Sequence, residues 1–82
     1  MFEAKVNIML KKTVADPQGI TIKHALESLG NNNVKDVRIG KLVKLNVDAE
    51  NEESAKGQLE EMCQKLLANP IIEDYNFELR KI

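Results

Sequence analysis

Cys63 and His24 are the only thiol and the only imidazole in 82 residues, so nucleophilic or metal chemistry would have to start from them. A cysteine nucleophile needs a neighbouring base to hold it as thiolate. Cys63 instead falls among Ala55, Leu59, Met62 and Leu66 at helical spacing, where a small thiol packs as an inert hydrophobe. His24 projects from a predicted helix on the side opposite Leu26 and Leu29, which makes it a solvated surface histidine. One histidine and one cysteine cannot complete a zinc ligand set. The remaining acid–base candidates are the adjacent pairs Glu52-Glu53, Glu60-Glu61 and Glu73-Asp74. Neighbours on a helix do not share a face, and exposed carboxylates lack the surroundings that tune a pKa. These pairs read as solvated charge. The residues therefore assign no catalytic, cofactor-binding or metal-binding site.

Phosphate and nucleic-acid chemistry fare no better. Four scattered glycines form neither a dinucleotide fingerprint nor a P-loop. A net charge of −1 gives no pull toward nucleic acid or an anionic membrane. Phe2, Tyr75 and Phe77 are the only aromatic residues, too few for an RNA-binding sheet platform. A small acylphosphatase-like enzyme would need an arginine in the loop after the first strand, and that loop offers Lys11, Lys12 and Thr13.

The elements that position these residues follow from periodicity. Phe2, Ala4, Val6, Ile8 and Leu10 alternate with polar residues, the pattern of a half-buried strand. Asp16-Pro17-Gln18-Gly19 reads as a helix start, with Asp accepting from first-turn amides and Pro at a position that needs no donor. Ile22, Ala25, Leu26 and Leu29 follow at helical spacing up to Gly30, and Asn31-Asn32-Asn33 forms a turn. A second helix carries the stripe around Cys63, with Glu52–Lys56 and Glu61–Lys65 on its outer side, and Asn69-Pro70 stops it. Ile71, Tyr75, Phe77 and Leu79 alternate in a last strand, with Glu73 the polar exception on that side.

Between the helices lies Val34–Val47, with Val37, Ile39, Val43, Leu45 and Val47 on one face and Lys41 interrupting it. Two readings fit: a hairpin with Gly40-Lys41-Leu42 as its loop, or one long strand bent at Gly40. The long bent strand is preferred, because the hairpin's first arm would be short. Such a strand overshoots a small monomer and needs a partner chain, with Val43–Val47 as the half expected to be covered. The fold expected is α+β, a single two-layer β-α-β-α-β domain over residues 1–82. Its long bent central strand lies in an antiparallel or mixed sheet, covered by two helices and extended by dimerisation. Hydrophobic residues at 43% and charged residues at 30% fit such a folded domain. The strand pattern begins at the first residues and no apolar run reaches membrane-spanning length, so neither a signal peptide nor an anchor is expected. One cysteine fits a reducing compartment, and the cytoplasm is the expected location.

Arg38, Gly40 and Lys41 place two cations around a flexible point on this strand. They read either as a strand edge kept soluble by charge or as a docking surface for another protein. Three ordered stretches then carry a family resemblance: Asp16-Pro17-Gln18-Gly19, Val34 through Lys41, and Glu61 through Tyr75 (EMCQKLLANPIIEDY). Together they resemble the PurS family, the small subunit of phosphoribosylformylglycinamidine synthase in de novo purine biosynthesis. Departures lie in the turns around Asn31–Asn33 and Asp48–Glu53.

That resemblance implies a chain with no active site of its own inside an ATP- and glutamine-dependent ligase. A glutaminase subunit, PurQ, releases ammonia, and a synthetase subunit, PurL, holds the ATP and Mg. The small subunit joins them and supports ammonia transfer. A homodimer or a tetramer is implied, with no nucleic acid and no membrane among its partners. The partner-interface candidates lie in the matched stretches: Asp16 and Gln18, then Arg38, Gly40 and Lys41, then Glu73, Asp74 and Tyr75. The alternative is an ACT-like regulatory module, which would bind a small molecule such as an amino acid.

Overall fold

In the computed structural model, which describes residues 1–82, the strand Phe2–Leu10 (β1) forms the middle of the sheet. Its even-numbered residues account for this place. Phe2, Ala4, Val6 and Ile8 are all buried, Ala4 and Val6 completely, as a strand requires when it has a neighbour on both sides and a helix above. The strands Gly40–Val47 (β2) and Glu73–Lys81 (β3) flank it, both antiparallel, in the order β2-β1-β3. Register sets Val6 between Val43 and Phe77, and Ala4 between Leu45 and Leu79. These rungs make the apolar floor of the core.

The helices are Pro17–Ser28 (α1) and Glu52–Met62 (α2), so the β-α-β-α-β order and the antiparallel sheet stand as expected. α2 lies over the floor; Ala55 and Leu59 are its buried residues, and Leu59 packs in the core cluster with Ala4, Val6 and Ile8. Asn51 caps it by accepting from the Ser54 N–H at 2.8 Å. The Glu52–Lys56 and Glu61–Lys65 pairs form at 3.8 and 2.8 Å on its exposed side, each contributing a few tenths of a kcal/mol.

Three details differ from the sequence reading. First, the strand of the middle stretch begins at Gly40; residues 34–39 approach it without a strand partner, and there is no hairpin. β2 is therefore an edge strand rather than the central one. The Val43–Val47 half, expected to meet another chain, pairs with β1 of its own chain. Second, the last turn after α2 widens. The Ala68 N–H reaches back five residues to the Cys63 carbonyl at 3.0 Å, giving a π turn over Cys63–Leu67. The extra residue rotates the stripe, so Leu66 is 82% exposed while Ala68 is buried. Third, Ile71 lies in the turn before β3 and is exposed, so the apolar face of β3 starts at Tyr75.

The largest departure is α1, which does not cover the sheet. Its only buried residue is Gly19. Ile20, Ile22 and Leu29 are exposed, and no α1 side chain enters the core. Cα extents of 51 × 27 × 14 Å describe the resulting long, thin body. An apolar helical stripe states what a helix would bury, not which chain supplies the cover.

Candidate functional site: the joint between the sheet and α1

α1 is mounted on the sheet through polar bonds at its first turn. One carboxylate oxygen of Asp16 caps the helix, accepting from the Gly19 N–H at 3.0 Å. The other accepts from the Ile39 N–H at 2.7 Å. Asp16 is 5% exposed, and both of its oxygens are used by backbone donors. The helix-start stretch and the strand stretch thus meet at one side chain, through a bond that spans 23 residues.

Arg38 completes the joint. Its Nη2 donates to the carbonyls of Lys11 at 2.9 Å and Val14 at 3.1 Å, with a longer contact to Leu10 at 3.4 Å. The Lys11 and Val14 carbonyls belong to the connection between β1 and α1; the first also accepts from the Val14 N–H at 2.9 Å, and the second has Arg38 as its one donor. The guanidinium therefore holds the segment 34–39 against that connection. Bonded in this way, it is not the solvated edge charge of the first sequence reading. Gly19 sits under the same segment: a β-carbon there would overlap the Val37 carbonyl.

The electrostatics agree with the geometry. The Ile39 and Gly19 N–H groups hold the Asp16 carboxyl below the usual carboxylate range, with the Arg38 charge adding to them against the opposing effect of burial. A carboxylate whose folded pKa is depressed contributes stability above its unfolded value, and loses it as pH falls through the folded value. The joint is therefore expected to loosen only in acid, with a midpoint below the ordinary Asp value. An NMR titration of the Asp16 carboxyl carbon together with the Ile39 amide checks this. A midpoint at or above the ordinary value would contradict it.

Beside the joint, on the helix side of the sheet, Gln18, Ile39, Gly40, Lys41 and Glu73 line a cleft of about 270 Å³ with Ile8 and Leu10. The two polar interruptions of the apolar pattern pair there. Lys41 stands opposite Ile8 and Glu73 opposite Leu10, and their side chains meet at 3.5 Å. Glu73 also accepts from the Asn69 N–H at 2.7 Å. Gln18 and Ile39 line a second, wider groove with Pro17, Thr21 and Ile22, so the two hollows share a wall.

The remaining candidates lie elsewhere. Asp74 is on the opposite face of the sheet, paired with Lys11 at 2.6 Å. The Tyr75 hydroxyl donates to Glu60 at 2.7 Å and ties β3 to α2. That bond, with burial, raises the Tyr75 pKa, so the phenol keeps its proton. Cys63 is fully buried, and burial followed by the Glu60 charge raises its pKa, which leaves an unreactive thiol. No three His, Cys, Asp or Glu side chains are grouped to hold a metal ion. What the arrangement provides is a rigid polar joint, a cleft beside it and an uncovered helix.

The family model for PurS, described as phosphoribosylformylglycinamidine (FGAM) synthase, matches residues 3–81. The phosphoribosylformylglycinamidine synthase subunit PurS of Methanocaldococcus jannaschii is 51% identical over 82 residues, which is 100% of this chain and 99% of that one. A crystal structure of Bacillus subtilis PurS superposes with a TM-score of 0.89 at 44% identity, covering 99% of this chain and 100% of that one. A chain in the structure of PurLQS from Thermotoga maritima superposes with a TM-score of 0.88 at 34% identity, covering 96% of each. The motifs that form the joint and the cleft lie within the matched span, and on this full-length similarity the chain belongs to the PurS family.

Proposed function

We propose that this chain is the non-catalytic small subunit of a phosphoribosylformylglycinamidine synthase in de novo purine biosynthesis. In this reading it joins a PurQ-type glutaminase to a PurL-type synthetase and supports the passage of ammonia between them. The observation that carries the proposal is full-length similarity to PurS chains, including one whose structure is that of PurLQS. The chain's own chemistry supports it too: Asp16, Arg38, Tyr75 and Cys63 are all committed to holding the fold. ATP and Mg belong to the synthetase in this scheme. Ammonia that escapes to bulk water at neutral pH takes up a proton and loses the lone pair that attacks, so a subunit that keeps the two enzymes together protects the reaction. Its place is the cytoplasm, with the enzymes it serves, and none of its helices is long and apolar enough to cross a membrane.

A homodimer is part of the same proposal. β2 and β3 each leave one edge unpaired, residues 34–39 have no strand partner, and the apolar side of α1 is uncovered. Edges and faces of this kind are normally covered or blunted. The test is to mix the purified chain with its glutaminase and synthetase and follow co-elution, while assaying the chain alone. Co-elution with both enzymes, a dimer by sedimentation equilibrium and no turnover by the isolated chain are expected. Glutaminase, ATPase or synthetase turnover that stays with the purified chain would overturn the proposal.

A further inference from the structure

We propose that Asp16 is a positioning residue: by holding the Ile39 N–H, it fixes the angle at which α1 leaves the sheet, and this angle sets how tightly the chain enters the synthase. The inference rests on the function proposed above. Its structural basis is that packing does not orient α1. The helix buries nothing but Gly19, and a glycine presents no side chain to lock a direction. The attachments that remain are polar. They are the Asp16 bond to Ile39 at 2.7 Å, the Arg38 bonds to the Lys11 and Val14 carbonyls, and the close approach of Gly19 to the Val37 carbonyl.

The carboxylate matters here in a way that its helix cap does not explain. Asparagine and aspartate cap helices about equally well, because a cap needs one acceptor oxygen. Asp16 uses two, one for α1 and one for the strand approach. An asparagine has a single carbonyl oxygen, and its amide nitrogen only donates. Asp16→Asn therefore keeps one of the two bonds and sets an N–H against an N–H at the other. The cap is local, whereas the Ile39 bond spans 23 residues, so the bond that orients the helix is the one at risk.

The experiment compares wild type with Asp16→Asn in a synthase reconstituted from the glutaminase and synthetase, titrating the small subunit and recording both half-saturation and saturated rate. Hydrogen exchange at the Ile39 amide and far-UV circular dichroism are followed on the same proteins. The proposal expects unchanged helix content, faster exchange at Ile39 and a half-saturation raised about tenfold. The saturated glutamine-dependent rate should stay within about twofold of wild type, since a misdirected helix weakens assembly rather than chemistry. A role confined to fold stability would raise half-saturation only as far as it lowers the folded fraction, and unchanged circular dichroism sets that fraction equal to wild type. If Asp16→Asn does not fold, Arg38→Gln loosens the same joint from its other side and is expected to show the same split. Unchanged half-saturation in a folded variant, or a loss confined to the saturated rate, would overturn the proposal. A wild-type chain that restores no glutamine-dependent synthesis would instead overturn the functional reading, and this inference with it.

Discussion

Replacing Gly40 with valine is expected to destabilise the protein by about 3 kcal/mol, lowering the melting temperature by on the order of 15 °C for a domain of this size. Gly40 opens β2 opposite Met9, and a β-carbon there would lie 2.7 Å from the Ile8 carbonyl oxygen as well as overlapping the Met9 thioether. The methionine can swing away at little cost. The carbonyl cannot, because it belongs to the middle strand, whose Ile8 side chain is 1% exposed in the core. Relief would require β2 to part from β1 at its first rung. Gly57 supplies the contrast: nothing lies within 4 Å of a β-carbon there, and it sits inside α2. Gly57→Ala should therefore stabilise by about 0.5–1 kcal/mol. Thermal denaturation of both variants at one protein concentration checks the pair. A Gly40→Val protein melting with wild type would contradict the close approach.

The second large effect separates two cations that look alike in sequence. Arg38→Gln is expected to cost about 2 kcal/mol, because a charged donor is lost from the Lys11 carbonyl and from the Val14 carbonyl, which has no other partner. Lys41→Gln should stay within about 0.5 kcal/mol, since the lysine side chain is 62% exposed and its bond to Glu73 is screened. Urea unfolding of the two single variants decides this, with the denaturant slope as the control for a loosened native state. Equal small effects would return Arg38 to the role of a surface charge.

Much of this was legible beforehand, and what was not has physical causes. The alternation of Phe2 to Leu10 predicts β1 because burial on one face imposes period two. Asp16-Pro17 predicts the start of α1 because the cap is a local bond, and Asp16 indeed accepts from Gly19. The polar interruptions at Lys41 and Glu73 are visible as exceptions, yet only the register places them on either side of β1, where they meet. Strand order is a different matter. Alternation reports which face is buried and nothing about lateral neighbours, so Val34–Val47 reads as central although β2 lies at an edge.

The site was less legible than the fold. Arg38 bonds to main-chain carbonyls, and any residue type carries a carbonyl, so no sequence pattern marks its partners. Gly19 could have been suspected of close approach, since glycine at a third helical position forgoes helix propensity; its neighbour, the Val37 carbonyl, could not. The stripe of Ile22, Ala25, Leu26 and Leu29 predicts a sheet cover, yet Ile22 and Leu29 are exposed, because a stripe reports what a helix can bury and not what lies over it. The π turn at Cys63–Leu67 has no signature in side-chain type, and it moves Leu66 from the expected core to the surface.

A chain that couples two enzymes without reacting itself, as proposed above, is tested most directly by the choice of nitrogen source. The measurement is the rate of phosphoribosylformylglycinamidine formation by the purified glutaminase and synthetase, with and without the chain, using either glutamine or high ammonia. Omitting the chain is predicted to abolish most of the glutamine-dependent rate and to spare the ammonia-dependent one, because added ammonia bypasses the transfer between subunits. An undiminished glutamine-dependent rate in the absence of the chain would contradict the account.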